Sequence, residues 1–224
     1  MSPTPAAPLR RETHSLPYNL GLLALVVALA GVILAYGIDA MGRKAPAMAD
    51  TASGDSVVTR TLGGRQFQIP SAWVRDDDGG GAGFSKQIGL SLLLPLGPGG
   101  EARAVGVTLL PRSQVRASSS LLDGVYLHQF MPEQLSGPPG LIGKPLVADD
   151  GYAGETVWYD PISSNSFAAK CMEPVRGETK GRCLRSVYLG PGIAAVYDFE
   201  EDVLGNWRQF DAEIEPLMRR IGAL

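Results

Sequence analysis

EEDVLGNWRQFDAEIEPLMRRI, residues 200–221, is the stretch on which the fold turns. Val203, Leu204, Trp207, Phe210, Ile214, Leu217, Met218 and Ile221 recur at intervals of three and four. That spacing puts them on one stripe of an α-helix, leaving the polar residues on the other side. Glu200, Glu201 and Asp202 precede the stripe, and Arg219 and Arg220 close it, as the helix dipole favours. Pro216 is expected to kink or split the helix, because its ring clashes with the carbonyl of Ala212. A helix with one apolar face needs a surface to cover, and the residues before it read as strands.

Working back from the helix, short strands are expected over 192–199, 182–189, 166–172, 155–160 and 141–148. Gly137-Pro138-Pro139-Gly140 is a break, and Ser118 to Met131 has a helical period with serines available as an N-cap. Strands over 103–110 and 84–94 are separated by PLGPGG. VVTRTL and RQFQI flank Gly63-Gly64, the pattern of a two-residue hairpin, and Pro70 ends its second strand. Asp76-Asp77-Asp78 and the glycines after it read as a solvated loop. The run lacks the alternating ligands and closing Glu of a calcium-binding loop. Together these features predict an α+β domain over 56–224: a mainly antiparallel β-sheet with a long C-terminal amphipathic helix packed on it.

The N-terminal part is different in kind. Residues 20–38, LGLLALVVALAGVILAYGI, carry no charge. As a helix they span about 28 Å, close to the apolar thickness of a bilayer. A transmembrane helix is expected there, with residues 1–19 as a Pro-rich disordered cytoplasmic tail and 39–55 as a linker. Arg10 and Arg11 before the span balance Arg43 and Lys44 after it, so loop charge does not set the orientation. A cleaved signal peptide is the rival reading, with Ala47-Met48-Ala49 as the cleavage pattern. The apolar core is long for a signal, and two cations separate it from that site.

Cys171 and Cys183 flank MEPVRGETKGR, a polar segment centred on Gly177. A chain reversal there would set the two cysteines opposite one another, within reach of a disulfide. The alternative is a pair of unrelated buried thiols. A disulfide requires an oxidising compartment, which for a bacterium places the domain in the periplasm.

The search for chemistry is largely negative. The net charge is −3 over the whole chain and −5 from Asp50 onward, so nucleic acid is excluded as a partner. His128 could be grouped with Asp123 and Ser118 to Ser120, but nothing fixes that geometry. Gly143-Lys144 fails as a phosphate loop, since prolines occupy positions 138, 139 and 145. Glu155 and Asp160 are five apart, on opposite faces of any strand that holds both. Lys170, Arg176, Lys180, Arg182 and Arg185 crowd the cysteine hairpin, diluted by Glu173 and Glu178. A solvated hairpin is the plain reading; a contact with anionic headgroups is the sharper one. No catalytic residue, metal ligand or cofactor is assigned.

Tyr152 to Glu155, Trp158-Tyr159-Asp160-Pro161, Phe167 to Cys171, Cys183-Leu184 and Leu204-x-x-Trp207 resemble a group of uncharacterised proteobacterial proteins. These have one membrane span and a β-rich domain. The resemblance, which covers about residues 57–222, implies a membrane-anchored domain facing the periplasm and brings no activity with it. The expected function is therefore a non-enzymatic interaction or accessory domain at the bacterial inner membrane. Its expected partners are the bilayer, through residues 20–38, and another cell-envelope protein. The alternative is a small-ligand or lipid-binding domain, with Trp158, Tyr159 and Trp207 around a pocket between sheet and helix.

Overall fold

A computed structural model of the chain describes residues 25–32, 56–75, 84–148, 151–163, 166–174 and 179–224. The chain divides into two compact units, Met1–Asp50 and Thr51–Leu224. In the first unit, residues 25–32 form a helix, α1, on which Leu25, Val26, Val27, Leu29 and Val32 are all more than half exposed. Among the described residues no helix is long and apolar enough to cross a membrane. The remainder of the expected span 20–38, the tail 1–19 and the linker 39–55 lie outside the described residues.

The second unit is the expected α+β domain. Seven antiparallel strands form its main sheet: β4 (Ile88–Leu94), β5 (Arg103–Pro111), β10 (Ile193–Glu200), β9 (Arg182–Tyr188), β8 (Ala168–Met172), β7 (Glu155–Tyr159) and β6 (Ile142–Pro145), in that spatial order. The hairpin across Gly63-Gly64 is β1 (Val57–Leu62) and β2 (Arg65–Pro70). Both turn glycines have positive φ, the conformation a two-residue turn of this kind demands.

The expected strand over 84–94 is two elements. β3 (Phe84–Ser85) pairs in parallel with β1, and β4 pairs with β5. The acidic run Asp76–Asp78 lies outside the described residues.

The C-terminal helix, α3 (Trp207–Arg220), covers one face of the sheet. Residues Glu201–Asn206 before it form a 3-10 segment, so Glu201 and Asp202 sit ahead of the α-helix. Pro216 lies inside α3 and does not split it. Ala212 and Pro216 are both exposed, so water can serve the carbonyl that loses its partner.

Ile193, Ala195, Tyr197 and Phe199 of β10 alternate toward α3, as do Val105, Val107 and Leu109 of β5. The opposite face is covered only in part. There α2 (Ser118–Gly124) and the 3-10 turn Tyr126–His128 pack Leu122 and Tyr126 against Val157. The helix expected over 118–131 is thus seven residues long. Its N-cap is Ala117 and no side chain caps it, because Ser118 is bonded elsewhere.

Candidate functional site

Cys171 and Cys183 form a disulfide, with sulfurs 1.96 Å apart. They are direct cross-strand partners in the β8–β9 ladder, at the middle of its three pairs, Lys170↔Leu184, Cys171↔Cys183 and Met172↔Arg182. Both are buried in the main core.

Past the bridge the two strands part. From Arg185 onward β9 is served by the chain leading into α2. The Ser186 amide donates to Ser118 Oγ at 2.8 Å, Ser186 Oγ donates to the Arg116 carbonyl at 2.7 Å, and the Tyr188 hydroxyl donates to the Val115 carbonyl at 3.4 Å. A cleft of about 230 Å3 opens at this point, lined by Ser118, Ser166, Arg185, Tyr197, Asp211 and neighbouring residues.

Arg185 is the central group of the cleft. It shares strand parity with Cys183 and therefore points toward α3. Its side chain is 7% exposed and forks onto both carboxylate oxygens of Asp211, which is 49% exposed. The guanidinium also lies 4.6 Å from the Phe167 ring centroid and 5.4 Å from that of Phe210. Such a planar, stacked, bidentate arrangement suits arginine and not lysine. Burial pushes the Tyr197 phenol well above its ordinary value, so it stays protonated. The cleft can offer hydrogen bonds, but its cation already carries a carboxylate and its phenol is no base.

The residues singled out by sequence do not converge. No hydrogen bond joins His128 to Asp123 or to Ser118–Ser120 among the described residues, and both His128 and Asp123 are exposed. Lys144 donates to the carbonyls of Pro132 and Glu133, at 3.0 and 2.9 Å, and is a backbone clamp. Its neighbour Gly143 makes room for Trp158: a Cβ at Gly143 would lie 2.5 Å from the indole. Glu155 is paired with Lys170, whereas Asp160 accepts the Ile162 amide in a local turn. Among the described residues no group of three or more His, Cys, Asp or Glu could hold a metal ion.

Nor do the three aromatics frame a pocket. Trp158 is buried on the α3 face, whereas Tyr159 stacks on Phe130 at 5.8 Å on the other face. Trp207 donates its indole N–H to the Pro139 carbonyl at 3.2 Å and packs against Phe167. The space between sheet and helix is filled by Phe210, whose ring centroid lies 5.0 Å from Phe199, 5.4 Å from Tyr197 and 6.1 Å from Phe167.

The described cations of the cysteine hairpin are paired. Lys170 meets Glu155 and Lys180 meets Glu200 and Asp202, all at 2.8 Å, while Arg182 meets Asp198 at 2.6 Å. Arg176 lies outside the described residues. Asp202 is the hub of a second set of pairs, with Arg103 at 3.0 Å. Burial opposes its ionisation, yet the hydrogen bonds from Lys180 and Arg103 outweigh burial and hold its carboxyl below the ordinary range. The sheet surface beside these pairs is an open depression over Met172 and Leu184, rimmed by Glu155, Arg182 and Asp198.

Arg185 and Asp211 escaped the sequence reading as a pair. The available signal was an arginine two residues from a cysteine in the same strand, an inward position for a cation. No protein-family model matches this chain, and no curated protein and no solved structure is significantly similar to it.

Proposed function

We propose that this chain is a single-span protein of the bacterial inner membrane, held through residues 20–38. In this reading its disulfide-bridged domain, 56–224, stands in the periplasm as an interaction or accessory domain and not as an enzyme. The carrying observation is how the domain disposes of its interior. Phe210 and its aromatic neighbours fill the sheet–helix interface, the cleft beside Arg185, at about 230 Å3, falls below the usual size of a small-molecule site, and the larger depression over Met172 and Leu184, about 630 Å3, lies open on the sheet surface rather than in the interior. Surface recognition is what such a domain has left to offer. The Cys171–Cys183 bridge supports an oxidising compartment, and the uncharged run supports an anchor.

Cross-linking of the full-length, membrane-embedded protein, followed by identification of captured proteins, tests this reading. One envelope complex is expected to co-purify reproducibly and to vanish when 56–224 is deleted. Turnover on a hydrolase panel, abolished by a single alanine substitution, would contradict it.

A second reading has the Arg185 cleft as its support: a small polar ligand held by Ser118, Ser166 and Arg185. Native mass spectrometry of the purified protein distinguishes the two, because a retained small molecule, lost in Arg185→Met, is expected only under the second.

A further inference from the structure

The ionic groups of the main sheet are sorted by end. At the end where β9 begins and β10 finishes, the cations Arg103, Lys180 and Arg182 each contact at least one carboxylate among Glu101, Asp198, Glu200 and Asp202. The opposite end is where β5 finishes, β9 runs into the Gly190–Gly192 turn and β10 begins. That end is basic. Arg112 bonds through its amide to Gly192 and lays its guanidinium 3.9 Å from the Tyr188 ring centroid. Arg65 reaches the carbonyls of Pro191 and Gly222. Arg220, in the last turn of α3, lies 5.6 Å from the Trp73 ring centroid. Arg116 follows Arg112 on the same connection, and both are exposed. Glu215 sits one turn before Arg219 and is bonded to it.

The first strand starts beside the turn that carries Trp73: the Ser71 amide donates to the Ser56 carbonyl, and Ser71 begins that 3-10 turn. A net-acidic chain has therefore gathered arginines at one end of its sheet, with Trp73 beside Arg220.

We infer that this basic end docks on the anionic headgroups of the bilayer, through Arg65, Arg112, Arg116 and Arg220 with Trp73 beside them. The inference rests on the membrane-anchored reading above. Two observations name the bilayer as occupant: the charge complementarity, and the length of chain from the expected span to Ser56, which fully extended cannot exceed about 60 Å. Arginines gain from an anionic surface only within about a Debye length; the tether raises the local concentration of the domain at the bilayer, and the charge selects the end that faces it. Tryptophan suits the headgroup layer because its ring is apolar and its N–H is polar. The cysteine hairpin, which the sequence offered as the headgroup contact, has its described cations paired at the other end or along the sheet.

The test is amide hydrogen exchange of the full-length protein in nanodiscs of phosphatidylcholine alone, or with about a third phosphatidylglycerol. Slower exchange at 71–75, 112–116 and 219–222 is expected only in the anionic discs, and about 0.5 M salt should abolish it. Arg112→Gln/Arg116→Gln should weaken the docking equilibrium roughly fivefold per cation removed. The control Lys180→Gln/Arg182→Gln should leave it unchanged. Equal exchange in both lipids, or protection centred on 179–182, would overturn the docking. Alkaline extraction from membranes tests the anchor separately: release of the chain would overturn the anchored reading, and with it the docking that depends on it.

Discussion

The two faces of the seven-stranded sheet are built on different principles. Toward α3 the face is apolar except at the Arg185–Asp211 pair and its cleft: Val107, Tyr197, Phe199 and Phe210 are at most 1% exposed. Away from α3 the same strands carry Glu155 against Lys170 and Arg182 against Asp198, and only the short α2 covers part of the surface. Alternation along each strand produces both faces from one sequence. Burial of aromatic area on one side supplies most of the stability. The ion pairs on the other side contribute little and leave a solvated, nearly neutral surface. The difference teaches where to look: substitutions under α3 should report on folding, and substitutions on the open side or at the basic end should report on recognition.

The largest effect expected from this contrast is at Phe210. Phe210→Ala empties the centre of the apolar face and should cost about 3–5 kcal/mol in urea denaturation of the protein. A loss below about 1 kcal/mol would mean that the sheet–helix interface is not the core. Next comes the bridge at the margin of that face. The Cys171→Ser/Cys183→Ser double variant should lose about 2–3 kcal/mol, since the bridge closes a short loop. Equal melting of oxidised and reduced wild type would count against a structural role. Gly143→Ala probes the same face from the edge of the sheet. Its new methyl meets the Trp158 ring, and overpacking of this kind costs about 1–3 kcal/mol.

Effects on the open face should be smaller. Glu155→Gln removes the carboxylate from Lys170, and a loss of about 1 kcal/mol or less is expected. A loss as large as that at Phe210 would erase the distinction between the faces.

The smallest effect belongs to Asp202, and it depends on pH. Its carboxyl is held below the ordinary range in the folded protein, so its contribution is complete above about pH 4 and disappears as pH falls through the lower folded value. Wild type should therefore be more stable than Asp202→Asn at pH 7 and should approach it near pH 2, as followed by chemical denaturation. A difference that grew in acid would reverse the sign and remove the hub role.

The legible parts of this fold were those carried by local pattern. The Gly63-Gly64 turn fixed the β1–β2 register, and Cys171 and Cys183 fell opposite one another as the polar segment between them suggested. The stripe from Val203 to Ile221 was visible because helical period survives a 3-10 start and an exposed proline.

What escaped depended on partners far along the chain. Ser118 was offered as a helix cap, yet its hydroxyl serves the Ser186 amide, 68 residues away. The break between β3 and β4 reflects the parallel pairing of β3 with β1, which no local signal announces. The cations of the cysteine hairpin looked like a patch because their carboxylates, Glu155, Asp198, Glu200, Asp202 and Asp211, come from other strands, from the 3-10 segment after β10 and from α3. The basic end was invisible for the same reason: Arg65, Arg112 and Arg220 meet only once the sheet is assembled.

The central claim is a bridged domain held outside the cytoplasm by an N-terminal anchor. Protease treatment of spheroplasts bearing the full-length protein, tagged at its N-terminus, tests it most directly. The account predicts that the 56–224 domain is digested from outside while a tagged, membrane-bound N-terminal fragment is protected. Protection of the whole chain in intact spheroplasts, with digestion only after lysis, would contradict it.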